Sequence, residues 1–125
     1  MGFFRRSSSR ITTLNRVVGA ADTPEVDIVF VHGLNEDWRT TWGFDQLANL
    51  ATVLADGVPT ANIWSLDYRV DWSRWKGGST SLFQRANGVL AELDFKLRGD
   101  RPILMIGHSY GGLLIKKLFQ VAEVT

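Results

Sequence analysis

Three short apolar runs alternate along the chain with three longer stretches in which apolar residues return every three or four positions. The first run, Val26-Asp27-Ile28-Val29-Phe30-Val31, is almost wholly apolar and largely β-branched. That composition predicts a strand buried on both faces, as in a parallel sheet. Asn62 to Tyr68 forms a second run and Pro102 to Gly107 a third. Phe44, Leu47, Leu50, Ala51 and Leu54 keep helical spacing until Gly57 and Pro59 stop it. Leu82, Phe83, Ala86, Val89, Leu90, Leu93 and Leu97 make a second amphipathic helix closed by Gly99, and Gly111 to Val124 a third. The order β-α-β-α-β-α predicts an α/β fold: a parallel sheet of about three strands, right-handed crossovers and helices on both faces.

Composition narrows the classes. A chain of 125 residues, 45% of them hydrophobic, fits one domain, and no run approaches the ~18 apolar residues of a membrane-spanning helix. The absence of cysteine excludes disulfides and thiolate metal sites, and the two histidines lack ligand spacing, so no metal or cofactor is expected. The net charge of +1 hides an asymmetry: Arg5, Arg6, Arg10 and Arg16 precede the first acid, whereas from Asp22 onward ten basic residues face thirteen acids. A core without a basic stripe predicts no nucleic-acid partner. Residues 1–24 therefore read as a basic Ser/Arg-rich tail whose composition also fits a mitochondrial targeting segment, and residues 25–125 as the folded domain. No apolar stretch of the secretory type follows the basic start, and Arg6 stands where N-myristoylation needs Ser or Thr.

The chemistry sits between the third run and the third helix. Gly107-His108-Ser109-Tyr110-Gly111 matches G-x-S-x-G, the nucleophile elbow, in which a strained strand-to-helix turn lifts a serine hydroxyl clear of the sheet. Side chains at 107 and 111 would collide with such a turn, hence glycine at both places, and Gly112 is expected to extend the small surface that lets the helix approach. The bare pattern arises by chance in roughly 4 of 100 chains this long. Its position between a buried strand and an amphipathic helix is what makes it informative. A Walker A loop is excluded because Leu113 and Leu114, not Lys and Ser or Thr, follow Gly112.

Ser109 is thus the candidate nucleophile. The second element is His32-Gly33-Leu34, where Gly33 lets the backbone come close to a substrate oxygen. The N–H groups of Leu34 and Tyr110 are the candidate oxyanion-hole donors. His32 is expected to be structural, with general base as its lesser reading, and the His108 side chain is expected to point away from the pocket.

Val26–Asn35 (VDIVFVHGLN), Arg39–Trp42 (RTTW) and Arg101–Phe119 (RPILMIGHSYGGLLIKKLF) resemble the α/β-hydrolase domain of SERAC-type, serine-active-site-containing proteins. They equally resemble the hydrolase-like domains that open fungal NACHT or NB-ARC proteins. The resemblance implies a partial α/β-hydrolase fold and hydrolysis of ester or lipid substrates. It also implies work at mitochondrial or endoplasmic-reticulum membranes. The family elbow usually reads GHSLGG; Tyr110 in place of Leu affects packing or the pocket wall, since only its N–H is needed. In the family's sheet the strand ending at His32 lies between those ending at Tyr68 and Gly107, which brings Leu34 and Ser109 side by side.

The family triad runs Ser, then Asp or Glu, then His, yet no histidine follows Ser109, and Glu123 lies about 21 Å down a helix at ~1.5 Å per residue. The expectation is a domain incomplete in this chain. Its elbow strand would form an unpaired apolar edge, to be covered by a protein partner or a missing C-terminal half. Two function classes follow: a serine esterase or lipase domain, or a non-catalytic interaction or signalling module of the NACHT-associated type. Trp42 and Trp64 read as packing residues. Trp72 and Trp75, beside Arg74 and Lys76, suit either membrane-surface contact or a loop over the sheet edge. Asp67 and Asp71 read as loop residues, and Lys116 and Lys117 as a solvated helix face.

Overall fold

The computed structural model describes residues 12–19, 23–33, 36–44, 49–68, 79–97 and 99–124. Its elements are β1 (Thr13–Val18), β2 (Val26–Val31), α1 (Leu50–Gly57), β3 (Ala61–Asp67), α2 (Ser79–Lys96), β4 (Ile103–Gly107) and α3 (Tyr110–Val124). One sheet has the order β1-β3-β2-β4. The three apolar runs are its parallel strands, β2 pairing with β3 from Val26↔Ala61 to Val31↔Leu66 and with β4 from Asp27↔Ile103 to Val31↔Gly107.

The fourth strand corrects the expectation of about three strands. It comes from inside the segment read as a tail, and it runs antiparallel to β3 from Thr13↔Asp67. Leu14 is its anchor. The side chain is buried, the N–H donates to Glu92 Oε2 at 2.7 Å and the carbonyl accepts from Lys96 Nζ at 2.9 Å. An edge strand normally leaves such groups to solvent or to another chain; here α2 takes them. Arg16, counted above as tail charge, lies over the Trp64 ring at 5.6 Å.

The two sheet faces carry separate cores. On one, Val29, Val31, Leu66 and Leu14 pack with Ala86, Val89 and Leu93 of α2 and Tyr110, Leu114, Leu118 and Val121 of α3. On the other, Ile28, Phe30 and Ile63 pack with Ala51 of α1, with Trp42 and Phe44 beside them. Helices therefore do cover both faces. The first helix is shorter than its periodicity suggested, because Asn49 caps it by accepting from Thr52 N–H at 3.0 Å. Phe44 lies in a turn, its N–H bonded to the Arg39 carbonyl and its ring 5.3 Å from Phe30, while Leu47 lies outside the described residues.

One carboxylate ties the strands together. Asp27 is the polar interruption of the first apolar run and is 1% exposed. It accepts from Trp64 Nε1 at 3.0 Å, Asn62 Nδ2 at 3.3 Å and Arg101 Nε at 3.0 Å, so β2, β3 and the entry to β4 share one acceptor. The outer side of β4 is open: Ile103 is 42% and Leu104 53% exposed. Among the described residues no helix is long and apolar enough to cross a membrane.

Removing the buried carboxylate strands three donors, one of them charged, which typically costs about 3 kcal/mol. Asp27→Ala is expected to lower unfolding stability by that amount in urea titration. A change under about 0.5 kcal/mol would mean that the cluster contributes only geometry.

Candidate active site

β2 and β4 end side by side, so the turns that follow them meet at the carboxyl edge of the sheet. The turn after β4 is the tighter one. His108 N–H still bonds to the Val31 carbonyl, Gly111 N–H bonds back to the His108 carbonyl at 3.0 Å, and Gly112 N–H to that of Ser109 at 2.9 Å. Between them Ser109 takes φ 58°, the one positive value at a non-glycine among the described residues. The left-handed region costs an L-residue roughly 1–2 kcal/mol, so this serine is held where it would not rest on its own.

Two glycines make the turn possible. A Cβ at Gly107 would lie 2.7 Å from Ile115 Cδ1 and 2.8 Å from the Gly111 carbonyl carbon. At Gly111 it would lie 2.7 Å from the His32 carbonyl oxygen and closer still to that of Val31. Gly112 was expected to share this duty and does not, for a Cβ there meets nothing within 4 Å. The close approach of α3 to the sheet is made by Gly111 against the end of β2.

The loop after β2 faces the same turn. A Cβ on Gly33 would stand 3.1 Å from Ser109 Cβ, 3.0 Å from the His108 carbonyl oxygen and 2.9 Å from Glu36 Oε1. Gly33 and Ser109 are thus brought together. Leu34, the candidate second donor, lies outside the described residues. Tyr110 opens α3 at the end whose dipole favours a negative oxygen, and its ring is buried in the core, 6.4 Å from Tyr68. The Leu-to-Tyr difference is therefore a matter of packing.

The two histidines hold the loop in different ways. His32 is 3% exposed; its Nδ1 donates to the Gly33 carbonyl at 2.8 Å, and its ring stacks on Tyr68 at 4.4 Å and 7°. The Tyr68 hydroxyl donates to the His32 carbonyl. Burial, with Tyr110 and Glu36 adding to it, pushes that phenol well above its ordinary range, so it stays protonated and donating. His32 Nε2 has no hydrogen-bond partner, and no hydrogen bond to the Ser109 hydroxyl forms among the described residues.

His108 Nδ1 lies 3.0 Å from Glu36 Oε2, with Trp42 edge-on to the ring at 6.3 Å. The other Glu36 oxygen accepts from Gly33 N–H. Burial raises the Glu36 carboxyl, but the Gly33 N–H and the His108 side chain outweigh it and hold the group below its ordinary value. The backbone N–H groups of Arg39 and Thr40 do the same for Asp37. Glu36 and Tyr68 were not singled out in the sequence. Tyr68 appeared as a strand residue, and Glu36 did not appear at all.

The remaining candidates separate. Trp64 is in the core, and Trp42 packs 4.8 Å from Phe30. Trp72, Trp75, Arg74, Lys76 and Asp71 lie outside the described residues. Asp67 ends β3, and Lys117 sits over the Phe83 ring at 6.0 Å. No group of His, Asp and Glu among the described residues is arranged to hold a metal ion.

The sequence matches the model of the Alpha/beta hydrolase family over residues 28–122. The chain belongs to the α/β-hydrolase family. Among curated proteins it is 31% identical over 120 residues to Protein SERAC1 of Mus musculus and 30% over 120 residues to Protein SERAC1 of Homo sapiens. Each alignment covers 79% of this chain and 18% of the relative. Against Protein SERAC1 of Danio rerio it is 32% identical over 94 residues, covering 70% of this chain and 13% of that protein. The chain thus spans less than a fifth of the length of these relatives. No solved structure matches it.

The contrast between the adjacent glycines of this α/β-hydrolase elbow is open to measurement. Gly111→Ala has backbone in its way and is expected to destabilise by about 3 kcal/mol. Gly112→Ala fills open space within a helix and is expected to stabilise by up to about 1 kcal/mol. Thermal denaturation of both variants checks the pair; equal effects would contradict the close approach described above.

Proposed function

We propose that this chain carries the nucleophile-bearing part of a serine hydrolase, acting on carboxylic esters or lipids through an acyl-Ser109 intermediate. The observation that carries the reading is the positive φ of Ser109 in a turn that two glycines alone make possible. A scaffold gains nothing from that strain, whereas a nucleophile gains exposure at the sheet's carboxyl edge. In the reaction Ser109 Oγ bonds to the carbonyl carbon and the alcohol leaves. Water then cleaves the acyl-serine ester to release the acid. The oxygen that becomes negative would be received by the N–H groups of Tyr110 and Leu34, each worth about 2.7–4 kcal/mol in the transition state.

The proton of Ser109 must pass to a base. His108 is engaged by Glu36, and His32 makes no hydrogen bond to the serine. The reading therefore takes its base from outside the described residues. By the same resemblance, the substrate would be a membrane lipid handled at a mitochondrial or endoplasmic-reticulum surface. A second reading, a non-catalytic interaction module, is favoured by the open apolar edge at Ile103 and Leu104.

A fluorophosphonate probe separates the two readings. The chain is expected to label covalently, and Ser109→Ala to lose the label completely while keeping its fold by circular dichroism. Folded wild-type protein that takes no label would overturn the hydrolase reading and leave the interaction module.

A further inference from the structure

We propose that Glu36 is a positioning residue of this site, its carboxylate bridging the Gly33 N–H and the His108 imidazole so that the oxyanion loop is held against the turn carrying Ser109. The inference rests on the serine-hydrolase reading above. Its two anchors come from different strand ends: Gly33 follows β2, and His108 follows β4. The carboxylate is the only side chain among the described residues bonded to both.

Geometry makes the bridge consequential. Gly33 and Ser109 are separated by less than an ordinary side chain, with Glu36 Oε1 on the same side of Gly33 as Ser109 Cβ. Polypeptide groups this close stay in register only if something fixes the loop, because loops are otherwise the mobile part of a fold. The described loop continues through residues 36–44, whose own hydrogen bonds tie Asp37 to Arg39 and Thr40 and Phe44 to Arg39. Those bonds organise the loop internally. Glu36 is what hydrogen-bonds it to the elbow among the described residues. An oxyanion donor displaced by even 1 Å can lower a rate about 100-fold.

The groups facing Glu36 are His108 from the elbow, His32 from the end of β2 and Tyr68 from the end of β3, with Asp37 beside it on the loop. Gly33 N–H donates and needs an acceptor; His108 Nδ1, placed against a carboxylate, donates as well. A carboxylate satisfies both at once. The amide of the E36Q variant can accept from Gly33 through its oxygen, and can donate to His108 Nδ1 where that ring carries its proton on Nε2. Alanine can do neither.

The test uses the full 125-residue chain as wild type, E36Q and E36A, with two readouts. Amide hydrogen exchange at Gly33, followed by NMR, reports the bridge without reference to chemistry. The fluorophosphonate labelling rate reports its effect on Ser109. E36A is expected to exchange Gly33 at least tenfold faster and to label at least tenfold more slowly. E36Q, whose amide oxygen can still accept from the Gly33 N–H, is expected to restore most of the Gly33 protection and most of the labelling rate. Unchanged Gly33 exchange in folded E36A would overturn the bridge. Faster exchange with unchanged labelling in E36A, or E36Q that labels as slowly as E36A, would overturn the positioning role. Wild-type protein that exchanges as expected but takes no label would sink the hydrolase reading, and the positioning role with it, while leaving the bridge as structure.

Discussion

The site depends on how closely α3 begins above the end of β2. At Gly111 the backbone of the helix lies almost on the carbonyls of Val31 and His32, with no space for a methyl group. That contact sets the height of the helix start, and the chain leaving β4 can reach it only by a sharp turn. Ser109, in the middle of that turn, is pressed into a positive φ. The strain is offset elsewhere. Leu114, Leu118 and Val121 are buried against α2 and the sheet, and each apolar side chain removed from water contributes about 1.5–3 kcal/mol. One glycine contact and one apolar helix face are thus cause and support of the same exposed hydroxyl.

The two ends of the sheet are tied by polar groups, and the ties differ in kind. At the amino end Asp27 gathers Trp64, Asn62 and Arg101, a closed arrangement in which every donor has found the same buried carboxylate. At the carboxyl end the ties run between loops: Tyr68 to the His32 carbonyl, His32 to the Gly33 carbonyl, Glu36 to Gly33 and His108. The first arrangement fixes strand register, since a slip by one residue would turn Asp27 to the other face. The second fixes the relation between backbone segments that no ladder joins. A fold that carries a reaction needs both, the one for rigidity and the other for placement.

Much of this could be read from the residues. Apolar runs rich in Val and Ile gave the parallel strands, and the glycine spacing around Ser109 gave the elbow, because strand burial and tight turns leave local marks. The strand Thr13–Val18 was hidden because its arginine drew attention to charge. Its stability comes from Leu14 bonding to α2, a contact 78 residues distant in sequence that no local pattern encodes. The role given to Gly112 failed for a related reason: a glycine states that a side chain is absent, not that one would collide. Glu36 was invisible altogether. Its place is decided by where two strand ends meet, and a carboxylate in a polar loop is otherwise unremarkable.

What the described residues leave unsatisfied is as informative as what they tie. Two buried side-chain polar atoms among them lack a partner, His32 Nε2 and Trp42 Nε1. His32 Nδ1 is occupied by the Gly33 carbonyl, which leaves Nε2 as the ring's second polar atom, while Trp42 presents an N–H. A buried group left in this condition costs about 1–3 kcal/mol, which is why native interiors rarely contain one. Both residues belong to the surroundings of one loop: His32 enters it from β2, and Trp42 lies against His108 on its far side. The Ser109 turn is at the same edge. Around Val29 and Phe30 the interior is closed by apolar side chains, whereas the carboxyl edge beside that turn is built from polar groups tied by Tyr68, His32 and Glu36.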